Sequence, residues 1–105
     1  MNKTDKILKQ IKSNILESDP SAKIYLYGSR ARGTSKPDSD WDLLILLNKE
    51  KISTDEELKI TYSLYDLEFE IGEVISPMVY SEIEWNNKYK VTPFYINVMK
   101  EGRLL

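Results

Sequence analysis

The fold is decided by Lys23-Ile24-Tyr25-Leu26-Tyr27-Gly28-Ser29-Arg30-Ala31-Arg32-Gly33 and, after a polar loop from Thr34 to Ser39, by Asp40-Trp41-Asp42-Leu43-Leu44-Ile45-Leu46-Leu47. Residues 23–27 are short and rich in β-formers, so they read as a strand. Gly28 ends that strand, and Ser29 to Gly33 reads as one or two helical turns. The run from Trp41 to Leu47 is apolar throughout except for Asp42. Such a run predicts a central strand covered on both faces.

Working outward, Ile7, Leu8, Ile11, Ile15 and Leu16 follow helical spacing, with Thr4 as a candidate cap and Asp19-Pro20 as a stop. Ser53 or Thr54 can cap a second long helix that carries Glu56 and Glu57 in its first turn. Leu58, Tyr62, Tyr65 and Phe69 are its expected buried stripe, and Gly72 its break. Val74 to Tyr80 reads as a third strand, which Pro77 confines to an edge or to a bulge. Ser81 with Glu84 forms a capping box for a short helix. Pro93 opens a last helix, and Gly102 stops it. The alternation predicts an α+β (α/β-like) chain, with a small mixed sheet of at least three strands packed with helices. Its 105 residues suit one domain, 1–105.

Composition removes whole classes of chemistry. The chain has no cysteine and no histidine, so disulfides, thiolate catalysis, Cys/His zinc sites and imidazole bases are excluded. Oxygen ligands remain, and they suit magnesium or manganese. A formal net charge of −2 argues against a general polyanion binder and leaves only a local basic patch for nucleic acid. The polar, lysine-rich start holds no apolar run long enough for a signal or membrane segment, which predicts a cytoplasmic protein.

The chemistry is concentrated where the fold is decided. On a strand, Asp40 and Asp42 point to the same face, with Cβ atoms roughly 6–7 Å apart. Carboxylates so placed can share divalent ions. The bland alternative is a turn-ending Asp40 and an Asp42 at a solvated strand edge; against it, Asp42 is costly to bury without a cation. Gly28-Ser29 presents free backbone N–H groups, a hydroxyl and the positive end of a helix, which suits phosphate. The plain alternative is a turn with Ser29 as cap. Arg30 and Arg32 flank the turn, and either has the fork to clamp phosphate; solvated surface arginines are the competing reading. Trp41 lies between the two aspartates and so faces away from them. Phe94, Tyr95 and Ile96 either cover the sheet or form a protein–protein surface.

Taken together, Gly28-Ser29-Arg30-Ala31-Arg32-Gly33 and Ser39-Asp40-Trp41-Asp42-Leu43 resemble the signature of the DNA polymerase β-like nucleotidyltransferase superfamily. Within it the chain looks like the small MNT-type (minimal nucleotidyltransferase) proteins. The resemblance implies that Gly28 and Ser29, with Arg32 and Arg30, hold a nucleoside triphosphate, with ATP the expected substrate. It implies that Asp40 and Asp42 bind magnesium or manganese, and that Asp40, Asp42 and Ser29 are the catalytic set. The implied reaction is attack of a hydroxyl on the α-phosphate with loss of pyrophosphate, and the implied partner is a HEPN-type protein in a toxin–antitoxin pair. The family places a third carboxylate on the next strand, where this chain offers Ser76. Glu73 has the wrong parity for that place and would need a bulge near Pro77 to join the metal site. Glu70 shares parity with Ser76 but falls before the Gly72 break. The missing acid leaves a second reading, a nucleotide- and metal-binding module that acts by covering a partner.

Overall fold

A computed structural model describes residues 2–105. It places α1 at Lys3–Ser18, β1 at Lys23–Tyr27, a single turn α2 at Ser29–Arg32, β2 at Trp41–Leu47 and α3 at Thr54–Ile71. After these come β3 at Ile75–Ser81, α4 at Glu82–Asn87, α5 at Pro93–Glu101 and a two-residue β4 at Arg103–Leu104. The sheet runs β3-β2-β1-β4. β1 is antiparallel to β2 and to β4, while β2 and β3 are parallel, so the sheet is mixed.

The apolar run of β2 goes where such a run must go, into the middle of the sheet with cover on both sides. One face carries Trp41, Leu43, Ile45 and Leu47 with Ile24 and Leu26, under Ile7, Leu8, Ile11 and Ile15 of α1 and Ile60, Leu64 and Leu67 of α3. The other carries Leu44 and Leu46 under Trp85 of α4 and Val98 of α5. Tyr80, Tyr89, Phe94 and Tyr95 ring Trp85 at centroid distances of 5.0–6.2 Å. Phe94 and Tyr95 therefore cover the sheet, whereas Ile96 is exposed.

Capping accounts for most helix starts. Ser53 and Glu56 form a complete capping box on α3, Ser81 accepts from the N–H of Glu84, and Pro93 sits in the first turn of α5 behind a Thr92 cap. The cap of α1 is Asn2, not Thr4: its Oδ1 accepts the Asp5 N–H at 2.8 Å.

One further expectation needs correction. Leu58, Tyr62, Tyr65 and Phe69 are exposed, and the buried stripe of α3 is Ile60, Leu64 and Leu67. Both stripes have helical spacing, and the sheet took the aliphatic one. The third strand runs Ile75–Ser81 at an edge of the sheet, in unbroken register from Trp41↔Ile75 to Leu47↔Ser81, so Pro77 makes no bulge. The expected sheet of at least three strands has a fourth, because Gly102 turns the chain from α5 directly onto β1. A Cβ at Gly102 would overlap the Val98 carbonyl oxygen and lie 3.3 Å from the Val98 side chain.

Among the described residues no helix is long and apolar enough to cross a membrane.

Candidate active site

β1 delivers Gly28 and Ser29 to the end of the sheet, and β2 begins beside them. Tyr27 pairs with Asp42, and Asp42 with Ser76 of β3. Asp42 therefore lies on the aromatic face of the sheet, at its end, with Asp40 just before the strand. Ser76 donates its hydroxyl to Asp40 Oδ2 at 3.1 Å. Burial pushes the Asp42 carboxyl above its ordinary value, the Asp40 charge pushes the same way, and Arg32 opposes both. A carboxylate whose charge is disfavoured by burial and by its neighbour, in a partly desolvated place, makes a site that favours a cation. Among the described residues no third carboxylate joins them.

The role of Gly28 is visible only in three dimensions. Its φ of 75° and ψ of −159° lie in a region that is essentially glycine's alone. A Cβ there would overlap Asp42 Oδ2 and stand 3.2 Å from Asp42 Cγ. The glycine thus lets the turn close against the carboxylate. Within that turn, the N–H groups of Ala31 and Arg32 bond the Gly28 carbonyl. Those of Ser29 and Arg30 come before the first helical bond and so are open to an anion. Phosphate held there would lie next to the carboxylate pair.

Arg30 is placed differently from the sequence expectation, whereas Glu73 lies off the carboxylate face as its parity predicts. The Arg30 guanidinium donates to the Ser39 carbonyl from Nε at 3.1 Å and from a terminal nitrogen at 2.7 Å. It also reaches Glu73 Oε1 at 3.3 Å, and its Cζ lies 4.0 Å from the Trp41 ring centroid. Trp41 Nε1 donates to the same Glu73 oxygen at 2.8 Å, and the Lys3 ammonium is 3.2 Å from Oε2. Burial disfavours the Glu73 charge, but the bonds from Trp41 and Lys3 and the nearby cations outweigh it and hold the carboxyl below its usual value. Arg30 is a strut rather than a free phosphate clamp. It ties the Gly28–Gly33 turn to the residue before Asp40 and to the entry of β3. Glu73 anchors that strut on the Trp41 side of the sheet, away from Asp42.

Arg32 remains beside the carboxylates. It pairs with Glu101 at 3.2 Å, with both side chains substantially exposed, so the pair is weak and the arginine is available to an incoming anion. Tyr27, Gly28, Arg32, Phe94, Asn97 and Glu101 line a cavity of about 350 Å3 next to the turn. Its size suits a nucleoside-scale ligand. Burial, and then the charge of Asp42, raise the Tyr27 phenol above its ordinary value, so it stays protonated as a wall of that cavity. A second cleft of about 340 Å3, between α1 and α3, lies on the opposite side of the sheet from Asp42.

A sequence profile of the family described as Nucleotidyltransferase domain matches residues 5–105. Among curated proteins no significant match is found. Two solved structures share the fold. One is a tyrosine-to-alanine mutant of the toxin–antitoxin MntA–HpeT, with a TM-score of 0.56 and 19% identity over 100% of this chain and 72% of that one. The other is a toxin–antitoxin with AMP-PNP, with a TM-score of 0.57 and 20% identity over 98% of this chain and 72% of that one.

Proposed function

Because the chain belongs to the nucleotidyltransferase domain family, we propose that it transfers AMP from ATP to a hydroxyl, and that the acceptor is a tyrosine of a HEPN-type protein with which it forms a toxin–antitoxin pair. The observation that carries the transfer reading is the closure of the Gly28 turn on Asp42, which brings that glycine turn and the Asp40/Asp42 pair together at one end of the sheet. The partner reading draws on the two solved neighbours, which are toxin–antitoxin assemblies, one of them with an ATP analogue.

Ser29 and the open N–H groups hold the triphosphate, and Arg32 leaves Glu101 to meet its charge. The acceptor oxygen bonds to the α-phosphorus in line with the bond to the leaving pyrophosphate, which breaks. The hydroxyl proton passes to solvent, since the chain has no histidine and, among the described residues, no third carboxylate stands at Asp40 and Asp42. Asp40 and Asp42 fit a divalent ion such as magnesium or manganese, by their oxygen chemistry and by the raised Asp42 carboxyl. Bound there, such an ion supplies charge neutralisation for the phosphoryl oxygens. The remaining catalytic contribution is positioning, which needs no nucleophile from the protein.

The experiment is transfer from labelled ATP to the protein encoded beside this chain, with wild type and Asp42→Asn compared. Label on a partner tyrosine from wild type alone is expected; equal labelling by both proteins would take the reaction away from this site. Ser76, standing where an acid would complete the set, favours a second reading, a module that binds nucleotide and metal without turnover. Calorimetry with ATP and magnesium beside a pyrophosphate assay separates the two, because binding without pyrophosphate release supports the module.

A further inference from the structure

Four large apolar side chains stand on the outer surface of α3. Leu58 is 37% exposed, Tyr62 58%, Tyr65 51% and Phe69 94%. At 3.6 residues per turn they fall within about 60° of one line along the helix. Scattered exposed apolar residues are ordinary, but a continuous row of this kind is not. The fold does not use it: α3 is anchored through Ile60, Leu64 and Leu67. Tyr62 and Tyr65 contact each other at a centroid distance of 6.2 Å, and neither ring is covered.

The charges around the row say what covers it. α3 carries six acids, Asp55, Glu56, Glu57, Asp66, Glu68 and Glu70, against one lysine, Lys59. By helical position Asp55 and Asp66 border one side of the row, and Glu57 and Glu68 the other. Glu56 is occupied by Lys49, and Glu68 accepts the Ile75 N–H at 3.0 Å. A second copy laid on this face would set acidic border against acidic border. The exposed lysines of α1, Lys6, Lys9 and Lys12, have no apolar row between them to meet the aromatics. A nucleic acid or an anionic membrane would be repelled by the acids.

We propose that the outer face of α3 is a docking surface for a partner helix whose apolar stripe is bordered by lysine and arginine. Rings fill the holes between the partner's apolar residues, and the acidic border fixes register and excludes acidic helices. The inference goes beyond the transfer reading and needs no chemistry at Asp42.

The test uses the full chain and two stapled helical peptides of about 20 residues, long enough to span the row. They share one leucine stripe and differ only in a lysine/arginine or a glutamate border. Binding is read by fluorescence anisotropy against wild type and the double variant Tyr65→Ser/Phe69→Ser, with magnesium–ATP affinity and melting measured alongside. The basic peptide should bind at least about tenfold more tightly than the acidic one, a difference of about 1.4 kcal/mol. It should lose at least as much on the double variant, which keeps its nucleotide affinity and melting. Failure of the basic peptide to bind, equal binding of both peptides, or undiminished binding to the double variant would overturn the proposal. So would a wild-type dimer in sedimentation equilibrium that the double variant abolishes, since the face would then belong to a second copy.

Discussion

Replacing Gly28 with alanine isolates the contact on which the site depends. Two costs arise. The backbone at φ 75°, ψ −159° is nearly closed to residues with a Cβ, and such strain costs on the order of 1–3 kcal/mol. The new Cβ also overlaps Asp42 Oδ2, so the turn and the carboxylate must part. For a chain of this size 1 kcal/mol moves the melting midpoint by roughly 4–8 °C, so a fall of about 4–24 °C is expected. A displacement near 1 Å at a reacting centre costs about 100-fold in rate, and transfer should drop by at least that. Gly33 is the control. It also has a positive φ, 77°, but a Cβ there meets nothing within 4 Å. Gly33→Ala should lose about 1–2 kcal/mol from the left-handed backbone and keep wild-type affinity for magnesium–ATP. Differential scanning calorimetry and isothermal titration of the two variants give the answer. If Gly28→Ala binds magnesium–ATP as wild type does, or Gly33→Ala loses binding equally, the closure of Gly28 on Asp42 is not what builds the site.

Arg30→Lys keeps the charge but loses the fork that spans Ser39 and Glu73. It should cost about 1.5–3 kcal/mol, the range for buried bonds to a charged group; a melting midpoint within a degree or two of wild type would remove Arg30 as a strut. The folded-state value of Glu73 is depressed, so its contribution to stability is present above its ordinary value of 4.5 and is lost as pH falls through the lower folded one. Glu73→Gln should therefore show a flatter loss of stability than wild type below about pH 4.5 in urea titrations; parallel curves would contradict the ion-pair assignment. Ser76→Asp places a carboxylate in register with Asp42. If a base is what the site lacks, transfer should rise by at least about tenfold, given that positioned bases contribute roughly 100-fold or more; unchanged turnover with intact magnesium–ATP binding would show that a base is not limiting.

Much of this architecture is written locally in the sequence. The β1 and β2 boundaries follow from strand composition and from one long apolar run, and Ser53/Glu56, Ser81/Glu84 and Pro93 mark helix starts because capping is a short-range interaction. What stayed hidden depends on contacts distant in sequence. α3 has two apolar stripes of equal periodicity, and only the sheet decides that Ile60, Leu64 and Leu67 go inward. β4 is two residues long, too short for any pattern. Arg30 and Glu73 are 43 residues apart, and nothing local shows that they meet under Trp41. Parity alone turned Glu73 from the carboxylate face, yet its actual partners required the fold. Gly28 was legible as a glycine needed for close approach, but not that the group approached is Asp42.

The proposed reaction transfers the α-phosphoryl with its nucleoside at Asp40 and Asp42. Parallel reactions with ATP labelled at the α- or the γ-phosphate, magnesium and the neighbouring protein test it most directly. Expected are α-label on a partner tyrosine and release of γ-label as pyrophosphate, and neither with Asp42→Asn. Transfer of γ-label, or α-label transfer that survives Asp42→Asn, would contradict it.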